Sequence, residues 1–332
     1  MSRYREIVPY RRIFVVVCDF LGIGSTAEAA EAVAAGTAYG SRVPGADTLE
    51  HLAEAAGRLK IPTLRSLGVA NIKRLPGVDP ITIPLGRCGI LKQKSRKTGI
   101  VTGHLEMMGL PDGEEAGQNP GSAEERGSGS LSAKTALNAL ADAGLTVMSI
   151  GRTREMFGGS GITRVMEPEE AVRCMEPGQA GEVVRCMDPE QAGEAARCME
   201  QAGAAAEQDF RGLCLVSLAG LQVPEEKRRD AEACTKALER FDLQLHLFMQ
   251  KLKKSDLMIL TSVCGNDPLA ETPGPTRENV LFISWSPANR NGMGGRIWGT
   301  DSFGTIGATV LENFGLTMPE GCSGKSRLEF LH

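Results

Sequence analysis

Short apolar runs alternate with helical patterns along this chain, and that alternation limits the folds open to it. Ile13-Phe14-Val15-Val16-Val17, Leu145 to Ile150, Gly212 to Leu218, Leu257 to Leu260 and Val280 to Trp285 read as strands. Between the third and fourth, Ala231 to Leu252 places Leu238, Phe241, Leu245, Phe248 and Leu252 on one helical face. A further helix begins at an Asp47-Thr48 cap and runs through Leu49, Leu52 and Ala56. Strands and helices in alternation predict an α/β fold, a mostly parallel sheet sandwiched by helices.

Composition narrows the function classes. The chain has 332 residues, 42% hydrophobic and 23% charged, with a formal net charge of −4. That suffices for one large core or two domains. The mild acidity argues against a dedicated nucleic-acid binder. Lys92-Gln93-Lys94-Ser95-Arg96-Lys97 reads as a solvated loop. No apolar run approaches the ~20 residues that span a bilayer, so no membrane partner is expected. The first strand is too short for a signal segment, and a cytoplasmic location follows as an expectation. Nine cysteines, an odd number without a C-x-x-C pair, fit reduced thiols rather than a disulfide framework or a zinc ribbon.

Five stretches organise the chain. Residues 1–110 form the N-terminal part of the α/β core, with an alanine-rich helix from Ala27 to Ala35 and a loop over Ile61-Pro62-Thr63-Leu64 and Leu67-Gly68. Residues 111–130 are Pro-, Gly- and Ser-rich and read as a flexible linker. Residues 131–163 resume with a helix through Leu137 and Leu140 and then a strand. Residues 164–209 hold a low-complexity repeat: Arg173-Cys174-Met175, Arg185-Cys186-Met187 and Arg197-Cys198-Met199 recur about twelve residues apart. Prolines follow the first two copies, so short broken surface helices are expected. A three-thiol metal array is disfavoured because no His or second Cys lies at ligand spacing. Residues 210–332 complete the core, ending in a helix from Thr305 to Phe314.

One motif points to a different chemistry. Gly22-Ile23-Gly24-Ser25-Thr26-Ala27 matches G-x-G-x-x-A after a strand, and Asp47 lies about twenty residues on. That is the layout of a dinucleotide site, in which glycines let the backbone approach a pyrophosphate at a helix N-terminus. A nucleotide-binding oxidoreductase is therefore one reading. Against it, Asp47 falls in a helix cap rather than at a strand end. Gly321-Cys322-Ser323-Gly324-Lys325-Ser326 ends like a P-loop, but the required first glycine is Pro319 and no strand precedes it.

Ordered blocks over most of the chain point elsewhere. They are Val17-Cys18-Asp19-Phe20-Leu21-Gly22-Ile23-Gly24, then Gly45-Ala46-Asp47-Thr48-Leu49-Glu50-His51-Leu52-Ala53-Glu54, then Thr102-Gly103-His104-Leu105-Glu106-Met107-Met108-Gly109-Leu110. Thr261-Ser262-Val263-Cys264-Gly265-Asn266-Asp267-Pro268 follows, with Thr276-Arg277-Glu278 after it, and Phe303 to Gly315 closes the series. Together they resemble the phosphopentomutases of the alkaline phosphatase superfamily. The resemblance implies an alkaline-phosphatase-like core, two Mn²⁺ ions, a phosphorylated threonine and transfer of phosphate between the C1 and C5 oxygens of ribose or deoxyribose. Two metals would clamp the attacking and leaving oxygens of an in-line displacement.

Carried over one position at a time, the resemblance retains one metal ligand, Asp19. The nucleophile position holds Ile100, with Thr98 and Thr102 as weak substitutes. The remaining ligand positions hold Gln222, Lys227, Val263, Cys264 and Pro275. Isoleucine and valine cannot ligate a metal, and a lysine repels one. The family's cap domain has no counterpart beyond the 111–130 linker, so the cap is largely deleted. Arg152 is a weak candidate for substrate binding. His104 and Cys264 read as buried structural groups, Asp267, Arg277 and Glu278 as loop-holding residues, and Arg228-Arg229-Asp230 as a surface ion pair. The leading reading is a phosphopentomutase-like pseudoenzyme with no cofactor or a weak one, serving binding, assembly or regulation toward an unknown protein partner. An active mutase with a rearranged metal site, which alone would bind a sugar phosphate, is the alternative.

Overall fold

The structure is a computed structural model that describes residues 9–19, 21–24, 45–96, 99–110, 133–166, 193–218, 230–270, 274–289 and 294–331. Its strands are β1 (Arg12–Cys18), β2 (Arg87–Lys92), β3 (Thr146–Ile150), β4 (Arg164–Val165), β5 (Gly212–Leu218), β6 (Asp256–Thr261), β7 (Val280–Trp285) and β8 (Gly295–Ser302). They form one eight-stranded sheet in the order β4-β3-β5-β1-β6-β7-β2-β8. Only β7 runs against its neighbours, β6 and β2; the other pairings are parallel. The mostly parallel sheet sandwiched by helices that the sequence predicts is therefore present.

Strand β1 sits mid-sheet and alternates between two cores, as a period of two requires. Phe14, Val16 and Cys18 enter one apolar cluster; Ile13, Val15 and Val17 enter the other. Helices α1 (Thr48–Ala56), α2 (Pro62–Leu67), α3 (Val69–Ile72), α7 (Glu194–Glu207) and α8 (Ala231–Lys251) contribute to the first. Helices α4 (Ile100–Met107), α5 (Ala136–Asp142) and α9 (Thr305–Asn313) contribute to the second. A single turn, α6 (Thr153–Met156), follows β3. Because β1, β3, β5 and β6 run parallel, their C-terminal ends meet along one sheet edge, where ligands of open α/β sheets bind.

Several expectations need correction. Residues 61–68 form α2 rather than a loop. Pro62 occupies its first turn, where the missing N–H costs nothing, and Asp242 of α8 accepts from the amides of Thr63 (3.0 Å) and Leu64 (2.7 Å). The basic run from Lys92 is not simply solvated: Gln93 and Ser95 are buried. Arg277 donates to the carbonyls of Ser95 (2.8 Å) and Gln93 (3.2 Å), and Glu106 accepts from the amides of Lys94 and Ser95. The third repeat copy is no broken surface helix. It lies inside the 14-residue α7, with Cys198 and Met199 in the core. No proline follows it, so the helix continues through Gln201 and Ala202. Asp230 accepts from the amide of Ala233 and caps α8; Arg228 and Arg229, its expected ion-pair neighbours, lie outside the described residues. The first two copies, the 111–130 linker and the Ala27–Ala35 helix lie outside the described residues.

Seven cysteines among the described residues are thiols, six of them buried. No helix among the described residues is long and apolar enough to cross a membrane.

At the sheet edge away from the parallel strand ends, Arg12 and Asp256 form a fully buried bidentate pair, with nitrogen–oxygen distances of 2.8 and 2.6 Å. The guanidinium also donates to the carbonyls of Ala206 and Gln208 and lies over the rings of Phe14 and Phe210. Asp256→Ala strands that charge in the core and should lower the unfolding free energy by about 3–5 kcal/mol. Replacing both partners, Arg12→Met with Asp256→Leu, should cost clearly less, which paired urea titrations of the two variants will read.

Candidate functional site

Asp19 follows the last residue of β1 and is fully buried. Its Oδ2 accepts from Ser217 of β5 at 3.2 Å, whereas Oδ1 has no hydrogen-bond partner among the described residues. Burial pushes this carboxyl well above the usual carboxylate range; the Ser217 bond and the charge of Arg152 oppose that shift without cancelling it. Arg152, just past β3, is half-exposed and donates to Glu155 at 3.2 Å. The strand ends thus bring Asp19, Ser217 and Arg152 into one electrostatic neighbourhood.

The next strand end is apolar. Val263 and Cys264 follow β6 and are 0% and 1% exposed, inside the cluster that holds Leu105, Phe303 and Ile306. Ser262 ties this turn to the β1 exit: its hydroxyl accepts from the amide of Leu21 (3.1 Å) and donates to the carbonyl of Cys264 (2.8 Å). Ile100 opens α4 and packs against the same cluster. Pro275 is half-buried and offers no ligand atom, and Thr102 is half-buried on α4. Thr98, Gln222 and Lys227 lie outside the described residues.

His104 is fully buried on α4. Its Nδ1 pairs with the carbonyl of Ile100 at 2.9 Å, as donor, and Nε2 has no partner. Burial pushes the imidazole down to about 4.

The glycine motif serves a carboxylate rather than a pyrophosphate. Glu278 is buried and accepts four hydrogen bonds: from the amides of Gly24 (3.0 Å) and Thr48 (2.9 Å), and from the hydroxyls of Thr48 and Thr276 (both 2.6 Å). A Cβ on Gly22 would lie 2.3 Å from this carboxylate, and one on Gly265 would lie 1.9 Å from it. Among the described residues of the motif, the amide of Gly24 is engaged by Glu278 and that of Ile23 by the carbonyl of Asn279. Asp47 caps α1 and pairs with Lys73 instead of ending a second strand. Both features turn the dinucleotide reading away. Beside Glu278, Asp267 accepts from the amides of Asp47 and Leu269 and pairs with His51 Nδ1 at 2.7 Å. Asp267, Arg277 and Glu278 hold loops together, as read from the sequence. Their partners Thr48 and His51 both stand in the Gly45–Glu54 block, where the sequence marks Thr48 as a cap residue and gives His51 no role.

The profile of the metalloenzyme superfamily matches residues 11–318, nearly the whole of this sheet and its helices. The chain belongs to that superfamily. Phosphopentomutases of Clostridium botulinum and Clostridium tetani are 28% and 27% identical to it, over 97% of this chain and 99% of theirs. The first alignment runs over 428 positions although the chain has 332 residues, so many positions of the relative face gaps here. Solved structures agree on the fold. A putative sulfatase from Bacteroides thetaiotaomicron superposes with a TM-score of 0.55 at 13% identity, covering 98% of this chain and 74% of its own. The phosphonate monoester hydrolase of Agrobacterium radiobacter gives 0.52 at 12%, covering 97% and 77%.

A metal is implied by membership of this superfamily, and the side chains fit it poorly. Among the described residues no three His, Cys, Asp or Glu side chains converge as a metal would need. Asp19 offers one oxygen without a partner among the described residues, and the neighbouring strand β6 is followed by Val263 and Cys264 rather than by carboxylate and imidazole. No catalytic step through a metal is derived for this chain.

The buried imidazole has a measurable consequence. Its folded pKa lies below the unfolded value, so between about pH 6.5 and 4 the unfolded chain binds the extra proton and stability falls as pH falls. The loss attributable to His104 should total about 3 kcal/mol. Denaturant titrations across that window should show a shallower decline for His104→Gln than for the unmodified protein.

Proposed function

We propose that this chain is a phosphopentomutase-like protein that no longer performs phosphoryl transfer, and that its fold serves a binding or structural role toward another protein. One observation carries the reading: the turn after β6 places Val263 and Cys264 in the apolar core, and Ile100 leans on the same cluster. Phosphoryl transfer between two sugar oxygens requires concentrated positive charge at the reacting oxygens and a nucleophile poised beside it. Ile100 has no nucleophilic atom, and Val263 has no donor atom. Cys264 has a sulfur, but burial among apolar side chains keeps it remote from an entering cation.

The relative's many positions that face gaps support the same reading. In the sequence, the space between Leu110 and the next matching helix holds only the 111–130 linker in place of a cap, so the grip on a sugar phosphate is reduced along with the chemistry. The same proposal assigns no resident Mn²⁺ to the chain and a cytoplasmic location.

The decisive assay uses the full chain, purified with and without added Mn²⁺. Metal content is measured alongside interconversion of ribose 5-phosphate and ribose 1-phosphate. The expected outcome is less than one firmly held Mn²⁺ per chain and no turnover above the uncatalysed background. Two Mn²⁺ per chain with steady turnover would establish the rearranged-site enzyme instead.

A further inference from the structure

We infer that apolar packing has taken over the space at the end of β6, locking α4 onto the sheet, so that the fold draws no stability from a cation and is closed to one. The inference rests on the reading of a lost metal site and adds a claim about what now occupies that place.

The contact is between Gly103 and Val263. A Cβ on Gly103 would lie 2.4 Å from Val263 Cβ, 3.2 Å from its Cγ1 and 2.9 Å from its carbonyl oxygen. Gly103 is in α4 with an ordinary helical neighbourhood, so its missing side chain is needed for close approach and not for backbone conformation. Val263 therefore occupies the room that the glycine leaves. Val263 shares one buried apolar cluster with Leu105 and Met107 of α4 and Ile306 and Val310 of α9.

A carboxylate at position 263 would lose its hydration in such surroundings and find no described donor set to replace it. A cation would meet a methyl-lined wall where ligands would have to stand. Restoring ligand residues one by one should therefore fail to rebuild a metal site, because each costs folding stability before a cation can repay it.

Thermal unfolding of the full chain tests this without reference to activity. The unmodified protein should show the same Tm in EDTA and in millimolar Mn²⁺, since a ligand that binds the folded state would raise it. Val263→Asp should lower Tm by roughly 5 °C or more in EDTA, and neither it nor Val263→Asp/Cys264→His should recover the loss on adding Mn²⁺. Gly103→Ala, a milder change that keeps the core apolar, should also lower Tm, and it serves if the charged variants do not fold. A Mn²⁺-dependent rise in Tm of the unmodified chain overturns the inference, as does full recovery of the double variant by Mn²⁺ or an unchanged Tm for Gly103→Ala. Any of these outcomes in a chain without turnover defeats this inference alone. Turnover with bound Mn²⁺ defeats the functional reading as well.

Discussion

The carboxylate of Glu278 organises the loops at the functional edge of the sheet. Burying a charge is expensive unless donors replace its water. Here two amides and two hydroxyls do so, and they come from three separate places in the chain: the β1 exit at Gly24, the start of α1 at Thr48, and Thr276. Hydrogen bonds to an ionised acceptor are stronger than neutral ones, so a single side chain fixes the relative positions of those segments. Its demand for close approach also explains two glycines, Gly22 and Gly265, whose positions leave no room for a Cβ. Asp267 extends the same principle by anchoring Asp47 and His51, which sets the start of α1 from a second side.

This network explains which parts of the chain could be read in advance. Strands β1, β5, β6 and β7 are apolar along most of their length because both faces are covered, and such runs stand out without any knowledge of partners. The long helix α8 carries an unambiguous apolar face. By contrast, β8 begins at Gly295 and contains Gly299, so its strand character comes from pairing with β2 and not from its residues. Helix α2 looked like a loop because its cap is not local: Asp242, far along the chain, supplies the acceptor. The short basic run at Lys92 hid a buried alternation of Gln93 and Ser95, held by Arg277 far along the chain and by Glu106 on the helix that follows.

At the site, the legible and illegible parts divide in the same way. That Ile100 and Val263 cannot ligate a metal follows from their chemistry alone. That Val263 fills the space over Gly103 required the packing of α4 against the β6 turn. The G-x-G motif is the sharper lesson. Its glycines do admit a close anionic group, as the pattern says, but the anion is a side chain of the same protein. A pattern records the need for space and amide donors; it does not record who arrives to use them.

The acidic residues of this edge then sort by what compensates them. Glu278 and Asp267 are retained with full sets of donors, and their value does not depend on any ion. Asp19 has, among the described residues, one donor, Ser217, and one oxygen without a partner. Adding a second carboxylate beside it, with no cation between them, would place like charges together in a buried site and raise the cost of both. Apolar residues at the neighbouring positions avoid that repulsion, and a buried ion cluster replaced by well-packed apolar side chains is commonly neutral or stabilising. On the reading of a lost metal site, Val263 and Cys264 are therefore the thermodynamically consistent companions of Asp19. Glu278 and Asp267 hold the loops of this edge through donors of the chain itself, whatever stands at those positions.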